Sequence, residues 1–262
     1  MRRFVIHLCL PLFCLFALLA ISTNVLAKGT LSPNWRLDSK ILGYALQYRV
    51  YLPETANEEA EWPTIYITDG QWYLDQGRMI EILDREIADG NIEPVVAVFV
   101  DSRNPDDLSE NRRNEQFICN PEYARFYIKE LIPTISANFT VSNDRQNRVI
   151  AGVSFGGLNA ACFGLLASNM FAGIGMQSPA NADHLKVLSR HYKDNQLAPL
   201  KFFFSVGTKN DNEDAARRFH HTLDKKGYDV NYIEVPFGHE WSNWQPLIDD
   251  MLLTFFAKNS GP

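Results

Sequence analysis

The chain is short of cysteine, of histidine and of positive charge. It has four cysteines in 262 residues, with no Cys-x-x-Cys pair and no His/Cys cluster. That excludes a metal site or a disulfide framework that could be read from spacing. Lysine and arginine number 25 against 31 acidic residues, and no basic block occurs. A nucleic-acid partner is therefore not expected. No internal repeat or low-complexity linker divides the sequence, and nothing after the N-terminal segment is apolar for long enough to span a bilayer.

The N-terminal segment has its own logic. Arg2 and Arg3 give a positive start, Phe4 to Ile21 is nearly all apolar, and Val25-Leu26-Ala27 offers small residues at a peptidase spacing. Residues 1–27 read as a secretory signal cut after Ala27, which places the mature protein in the periplasm or outside the cell. An uncleaved anchor is the alternative; Pro11 and the Val-x-Ala ending favour removal. Residues 28–262 then form a single domain of about 235 residues with a net charge of −8. Cys119 and Cys162 remain. Cys162 falls on an apolar helix face, where a buried free thiol is the commoner outcome and a bridge the less common one.

The rest of the chain alternates between two periodicities. Strands are expected over 43–52, 64–68, 95–100, 147–153, 172–176, 202–206 and 231–235, and helices over 79–87, 122–137, 156–167, 214–226 and 241–256. Strands rich in Val, Ile and Phe between amphipathic helices imply an α/β fold with a mostly parallel sheet covered on both faces. In such sheets chemistry gathers at the carboxyl ends of the strands.

Gly152-Val153-Ser154-Phe155-Gly156 follows the strand ending at Val153 and opens a helix. This Gly-x-Ser-x-Gly pattern suits a tight strand-to-helix turn that lifts a serine hydroxyl above the sheet. A glycine-rich turn is the plain alternative. A serine needs a base. His239, in "VPFGHEWSNW", lies between the last strand and the last helix. His220 and His221 sit inside a helix, and His184 and His191 in a polar segment. The base in turn needs a carboxylate, and "VGTKNDNED" supplies Asp211, Glu213 and Asp214. Asp211 is nearest the strand end and ranks first; Asp214 suits the cap of the next helix. The order serine, acid, histidine is that of α/β-hydrolases. Oxyanion donors are expected from the backbone N–H of Phe155 and from the "DGQW" loop. There Gly70 would let the chain turn so that the N–H of Gln71 or Trp72 points at the site, with Gln71 taken first. An ordinary Asp-Gly turn is the alternative.

With these residues in place, the chain resembles the branch of the α/β-hydrolases that contains esterase D and the enterochelin esterases. The likeness runs through "YRVYLP", "ITDGQWY", "YIKELIPTI", "GVSFGG", "FAGIGMQSPA", "VGTKND" and "FGHEWSNW". It implies an α/β-hydrolase fold and an ester hydrolase with a Ser-His-acid triad, without metal or organic cofactor. In many relatives the acid lies three residues after the loop glycine, a slot that Asn210 fills here, with Asp211 one later. In siderophore-cleaving relatives, basic residues near the mouth hold a negative substrate. By that likeness Arg103, Arg112 and Arg113 are candidates, with Trp72 as an aromatic contact. A solvated loop with local ion pairs is the alternative for each arginine. The expected partner is a small-molecule ester, of siderophore type among others. A feruloyl or acetyl esterase acting on polysaccharide, an acyltransferase, and a non-catalytic binding protein of the same fold are the rivals.

Overall fold

The computed structural model describes residues 28–54 and 60–258. The predicted signal segment therefore lies outside the described residues. The strands are β1 (Thr30–Leu31), β2 (Trp35–Asp38), β3 (Ala45–Leu52), β4 (Thr64–Thr68), β5 (Val96–Asp101), β6 (Arg103–Asn104), β7 (Asp107–Asn111), β8 (Arg148–Val153), β9 (Gly173–Gln177), β10 (Lys201–Gly207) and β11 (Asp229–Val235). The helices are α1 (Gly70–Asp75), α2 (Met79–Ala88), α3 (Arg113–Phe117), α4 (Pro121–Phe126), α5 (Ile132–Asn138), α6 (Phe155–Leu166), α7 (Ala182–Asp194), α8 (Glu213–Lys226), α9 (Trp241–Trp244) and α10 (Ile248–Phe256).

One nine-stranded sheet organises them, in the order β1-β3-β5-β4-β8-β9-β10-β11, with β2 also paired to β3. From β5 to β11 every pairing is parallel; β3 is antiparallel to β1, β2 and β5. The alternation of side chains along each strand feeds two cores. Tyr66, Val98, Ile150, Ile174 and Phe204 face one way, onto Tyr127, Leu158, Phe163, Leu188 and Phe219. Ile65, Ile67, Phe99, Ala151 and Phe203 face the other, onto Tyr73, Leu83, Ile248 and Met251. This is the α/β-hydrolase arrangement, a mostly parallel sheet with helices on both faces.

Two long helices expected from periodicity are interrupted at prolines. The expected helix over 122–137 starts where Asn120 accepts hydrogen bonds from the N–H groups of Glu122 (2.9 Å) and Tyr123 (3.3 Å), with Pro121 in the first position. It then widens into a π turn over Tyr127–Leu131, where the Ile132 N–H reaches back to the carbonyl of Tyr127. Pro133 has no N–H for the next bond and its ring crowds the preceding turn, so the wider turn precedes it. Likewise Pro246 splits the expected 241–256 helix into α9, a 3₁₀ turn and α10.

In the polar stretch after β5, β6 and β7 form a hairpin and α3 follows. One expectation is corrected. Cys162 is not a free thiol. It is bonded to Cys119, with Cα atoms 5.1 Å apart. Cys119 sits just before α4 in a left-handed conformation (φ 48°), which turns its side chain to the face of α6 where Cys162 lies. An apolar helix face proves compatible with a bridge because the partner arrives from outside that helix.

Candidate active site

The site sits at the carboxyl ends of β4, β8 and β10. Ser154 stands between β8 and α6 with φ 55° and ψ −120°, a conformation a non-glycine residue rarely takes. Its backbone is fixed on both sides. The N–H donates to the carbonyl of Gln177 (2.8 Å), and the carbonyl accepts from Leu158 (3.0 Å) and Ala180 (3.0 Å). The glycines flanking it serve close packing. A Cβ on Gly152 would lie 2.6 Å from the carbonyl carbon of Gly156, and one on Gly156 would lie 2.7 Å from Thr68 Oγ1.

His239, Asp211 and Ser154 meet. His239 Nε2 is 2.8 Å from Ser154 Oγ, and its Nδ1 is 2.9 Å from Asp211 Oδ1. Asp211 is set by the turn after β10. Asn210 takes the left-handed conformation (φ 58°), which an asparagine tolerates, and the extra residue directs Asp211 back to the imidazole. Asp214 is elsewhere: it lies exposed in the first turn of α8, 3.2 Å from Arg217, and is not the helix cap; that place belongs to Asn212.

Every neighbour of the Asp211 carboxylate is a donor. Oδ2 accepts from Ser178 Oγ (2.6 Å), the Gly207 N–H (2.9 Å) and Asn243 Nδ2 (3.4 Å). Oδ1 accepts from the Asn212 N–H (2.9 Å) and faces His239. Burial pushes the carboxyl pKa up, but the hydrogen bonds from His239, Ser178, Gly207 and Asn212 together outweigh it and hold the pKa below the ordinary carboxylate value. Trp244, itself buried, packs beside this cluster. Its Nε1 donates to Ser178 Oγ (2.8 Å) and its ring meets His239 edge-to-face at 5.0 Å. Sequence reasoning missed Ser178, Asn243 and Trp244. The last two lie four and five residues past His239, a spacing that offered a signal; Ser178 offered none.

Phe155 is the first residue of α6 and Gln71 the second of α1. N–H groups there have no carbonyl one turn back to bond, so they are free to face the site. The turn before Gln71 is made differently from the expectation. Asp69, not Gly70, takes the left-handed conformation (φ 58°). Gly70 is needed because a Cβ there would lie 2.6 Å from Phe99 Cα. The Trp72 N–H donates to the Asp69 carbonyl (2.9 Å), which leaves Gln71 as the candidate donor of this turn.

Arg113 does not reach for the mouth. Its side chain is 15% exposed and turned inward. Nε contacts both oxygens of Asp69 (2.7 and 3.0 Å), and Nη2 donates to the carbonyl of Val153 (3.2 Å). The rings of Trp72 and Phe155 each lie 5.4 Å from the guanidinium, so Trp72 flanks this arginine. Burial raises the Asp69 carboxyl to about 6, while Arg113 pulls it down. Arg103 pairs with Asp101 (2.7 Å) and Arg112 with Glu110 (2.7 Å), as the ion-pair alternative had it.

Beyond Gln71 lies a cavity of about 430 Å³, lined by Gln47, Arg49, Gln71, Leu74, Phe99 and Arg103 among others. Both polar atoms of the Gln71 side chain are buried and have no hydrogen-bond partner among the described residues. No cluster that could hold a metal ion, and no helix long and apolar enough to cross a membrane, is found among those residues.

The chain's likenesses are consistent with this geometry. It is 26% identical over 219 residues to an endo-1,4-beta-xylanase/feruloyl esterase of Xylanibacter ruminicola, covering 79% of this chain and 29% of that protein. It is 28% identical over 134 residues to an iron(III) enterobactin esterase of Dickeya dadantii, covering 50% of this chain and 30% of that protein. The chain thus spans less than a third of the length of either relative. In fold it is similar to a ferulic acid esterase, with a TM-score of 0.74 at 21% identity over 87% of this chain and 98% of that one. It is also similar to the enterobactin esterase of Shigella flexneri, with a TM-score of 0.75 at 20% identity over 85% and 58%. The sequence profile of the family described as "Putative esterase" matches residues 39–255, and the chain belongs to that family.

Proposed function

We propose that the protein is a serine hydrolase of carboxylic esters, acting through Ser154, His239 and Asp211 on a small-molecule ester. The observation that carries this reading is the unbroken relay from Asp211 Oδ1 through His239 to Ser154 Oγ, with links of 2.9 and 2.8 Å. His239 takes the serine proton as the oxygen attacks the ester carbonyl, then gives it to the leaving alcohol. Asp211 holds the imidazole in the tautomer with its free nitrogen toward the serine. The tetrahedral oxyanion is stabilised by the N–H groups of Phe155 and Gln71. Water, activated by His239, then releases the acyl group and restores Ser154.

The cavity next to Gln71, with Gln47, Arg49 and Arg103 in its lining, supports a substrate larger than an acetate ester, with polar groups on its non-scissile part. A siderophore-type ester fits the likeness to enterobactin esterases. A feruloyl ester is the second reading, favoured by the longer alignment, 219 residues against 134. The Cys119–Cys162 bridge supports export to an oxidising compartment, periplasmic or extracellular.

Ser154→Ala should abolish hydrolysis of p-nitrophenyl acetate and labelling by a fluorophosphonate, with an unchanged circular dichroism spectrum. Hydrolysis retained by the folded variant would overturn the mechanism. Parallel assays on ferric enterobactin and methyl ferulate decide between the two substrate readings.

A further inference from the structure

We infer that Arg113 is a positioning residue that holds the two halves of the oxyanion hole in register; this rests on the serine-esterase reading above. The proposed donors come from separate elements. Gln71 belongs to the turn after β4, and Phe155 to the turn after β8. Arg113 is bonded two residues before each of them. Nε holds the Asp69 carboxylate at 2.7 and 3.0 Å, and Nη2 holds the Val153 carbonyl at 3.2 Å. The side chain adjoining the Gln71 donor, Trp72, and that of the second donor, Phe155, each lie 5.4 Å from the guanidinium.

The arrangement suits arginine specifically. A rigid planar guanidinium holds two donors at a fixed separation, here Nε–H for the carboxylate and Nη2–H for the carbonyl, whereas an ammonium is a point charge on a flexible stem. Both turns are strained, with Asp69 at φ 58° and Ser154 at φ 55°. Such conformations persist only where the surroundings over-determine them. Asp69 is fully buried, so its charge has to be met from within the protein, and Arg113 meets it. Oxyanion donors act only within a few tenths of an ångström of the right place. Releasing the tie would let the Gln71 turn drift from the Phe155 turn, while Ser154, fixed by its bonds to Gln177, Leu158 and Ala180, and with it the triad, stays assembled.

The test measures kcat and KM for p-nitrophenyl acetate per active site, titrated by the acyl burst, in Arg113→Met and Arg113→Lys. A boronic acid inhibitor, which mimics the tetrahedral intermediate, is measured beside them. Arg113→Met should lose on the order of 10²-fold in kcat, as for one oxyanion donor, with KM within about twofold. Boronate affinity should fall in parallel. Arg113→Lys, which keeps the charge but not the second arm, should lose roughly tenfold. Because Arg113→Met leaves a buried carboxylate unpaired, the double variant Arg113→Met/Asp69→Asn is measured as well, and the same kcat deficit is expected. A folded variant with kcat per site unchanged would overturn the inference, as would a loss confined to KM, which would make Arg113 a substrate contact. Hydrolysis that survives Ser154→Ala overturns the underlying mechanism too; loss in Ser154→Ala with undiminished kcat in the Arg113 variants overturns this inference alone.

Discussion

At the scale of single residues, Asp211 shows how completely a side chain can be specified by its neighbours. Five hydrogen atoms point at its two oxygens, from His239, Ser178, Asn243 and the N–H groups of Gly207 and Asn212. An amide in its place would set an NH2 group against at least two donors, whichever way it flipped. Asp211→Asn should therefore lose kcat by about 10³- to 10⁴-fold, since the imidazole would no longer be held in the useful tautomer. The stability effect has a sign fixed by the pKa. The folded carboxyl titrates below its unfolded value, so its contribution is fully present above about pH 4 and is lost as pH falls through the folded pKa. In urea unfolding, Asp211→Asn should be clearly destabilised at pH 7, and its deficit against the parent should shrink as the pH is lowered through the acid range. Asp211 also stood out in the sequence by its closeness to the strand end. What the sequence does not display is the left-handed turn at Asn210 that delivers it, since asparagine is equally at home in many loops.

At the scale of elements, the strand–serine–helix turn is legible because its glycines answer a packing requirement that any tight turn of this kind imposes. Gly152 leaves no space for a methyl group between β8 and the start of α6. Gly152→Ala should destabilise the fold by roughly 1–3 kcal/mol, the usual cost of overpacking, and should lower kcat because the strain falls on Ser154. Urea denaturation and ester hydrolysis, measured on the same preparation, check both. The "DGQW" turn was half legible. Asp-Gly announces a turn, but the positive φ falls on the aspartate, because Gly70 is committed to contact with Phe99 and Asp69 is held by Arg113. Helix α7 went unread although its signals are present. Asn181 caps it, accepting from the N–H groups of Asp183 and His184 at 3.1 Å, and Leu185, Leu188 and Tyr192 share its buried face. Its many charged residues masked that stripe.

At the scale of the whole molecule, alternating β and α periodicity was enough to give the fold class, since parallel strands buried on both faces leave few other arrangements. The contacts that tie distant segments were not legible, because spacing along the chain carries no information about which loops meet. Arg113 with Asp69 is one such tie, and the Cys119–Cys162 bridge is another. The bridge closes a loop of 43 residues and fastens the segment that follows α3, and with it the helix that carries Arg113, to α6, which starts at the nucleophile. Loop-closure entropy for that length corresponds to roughly 4 kcal/mol. For a domain of this size each kcal/mol moves the midpoint by about 2–4 °C, so a double Cys119→Ser/Cys162→Ser variant should melt roughly 8–16 °C lower than the parent. Reductant should lower the parent's midpoint toward that of the variant and leave the variant unmoved. Well below both midpoints, kcat per titrated site should differ by less than about twofold, because α3 is also held by Arg113 and by Phe117, which is fully buried in the core. A larger loss at 25 °C would mean that the disulfide, and not the arginine alone, sets the distance between the two proposed oxyanion donors.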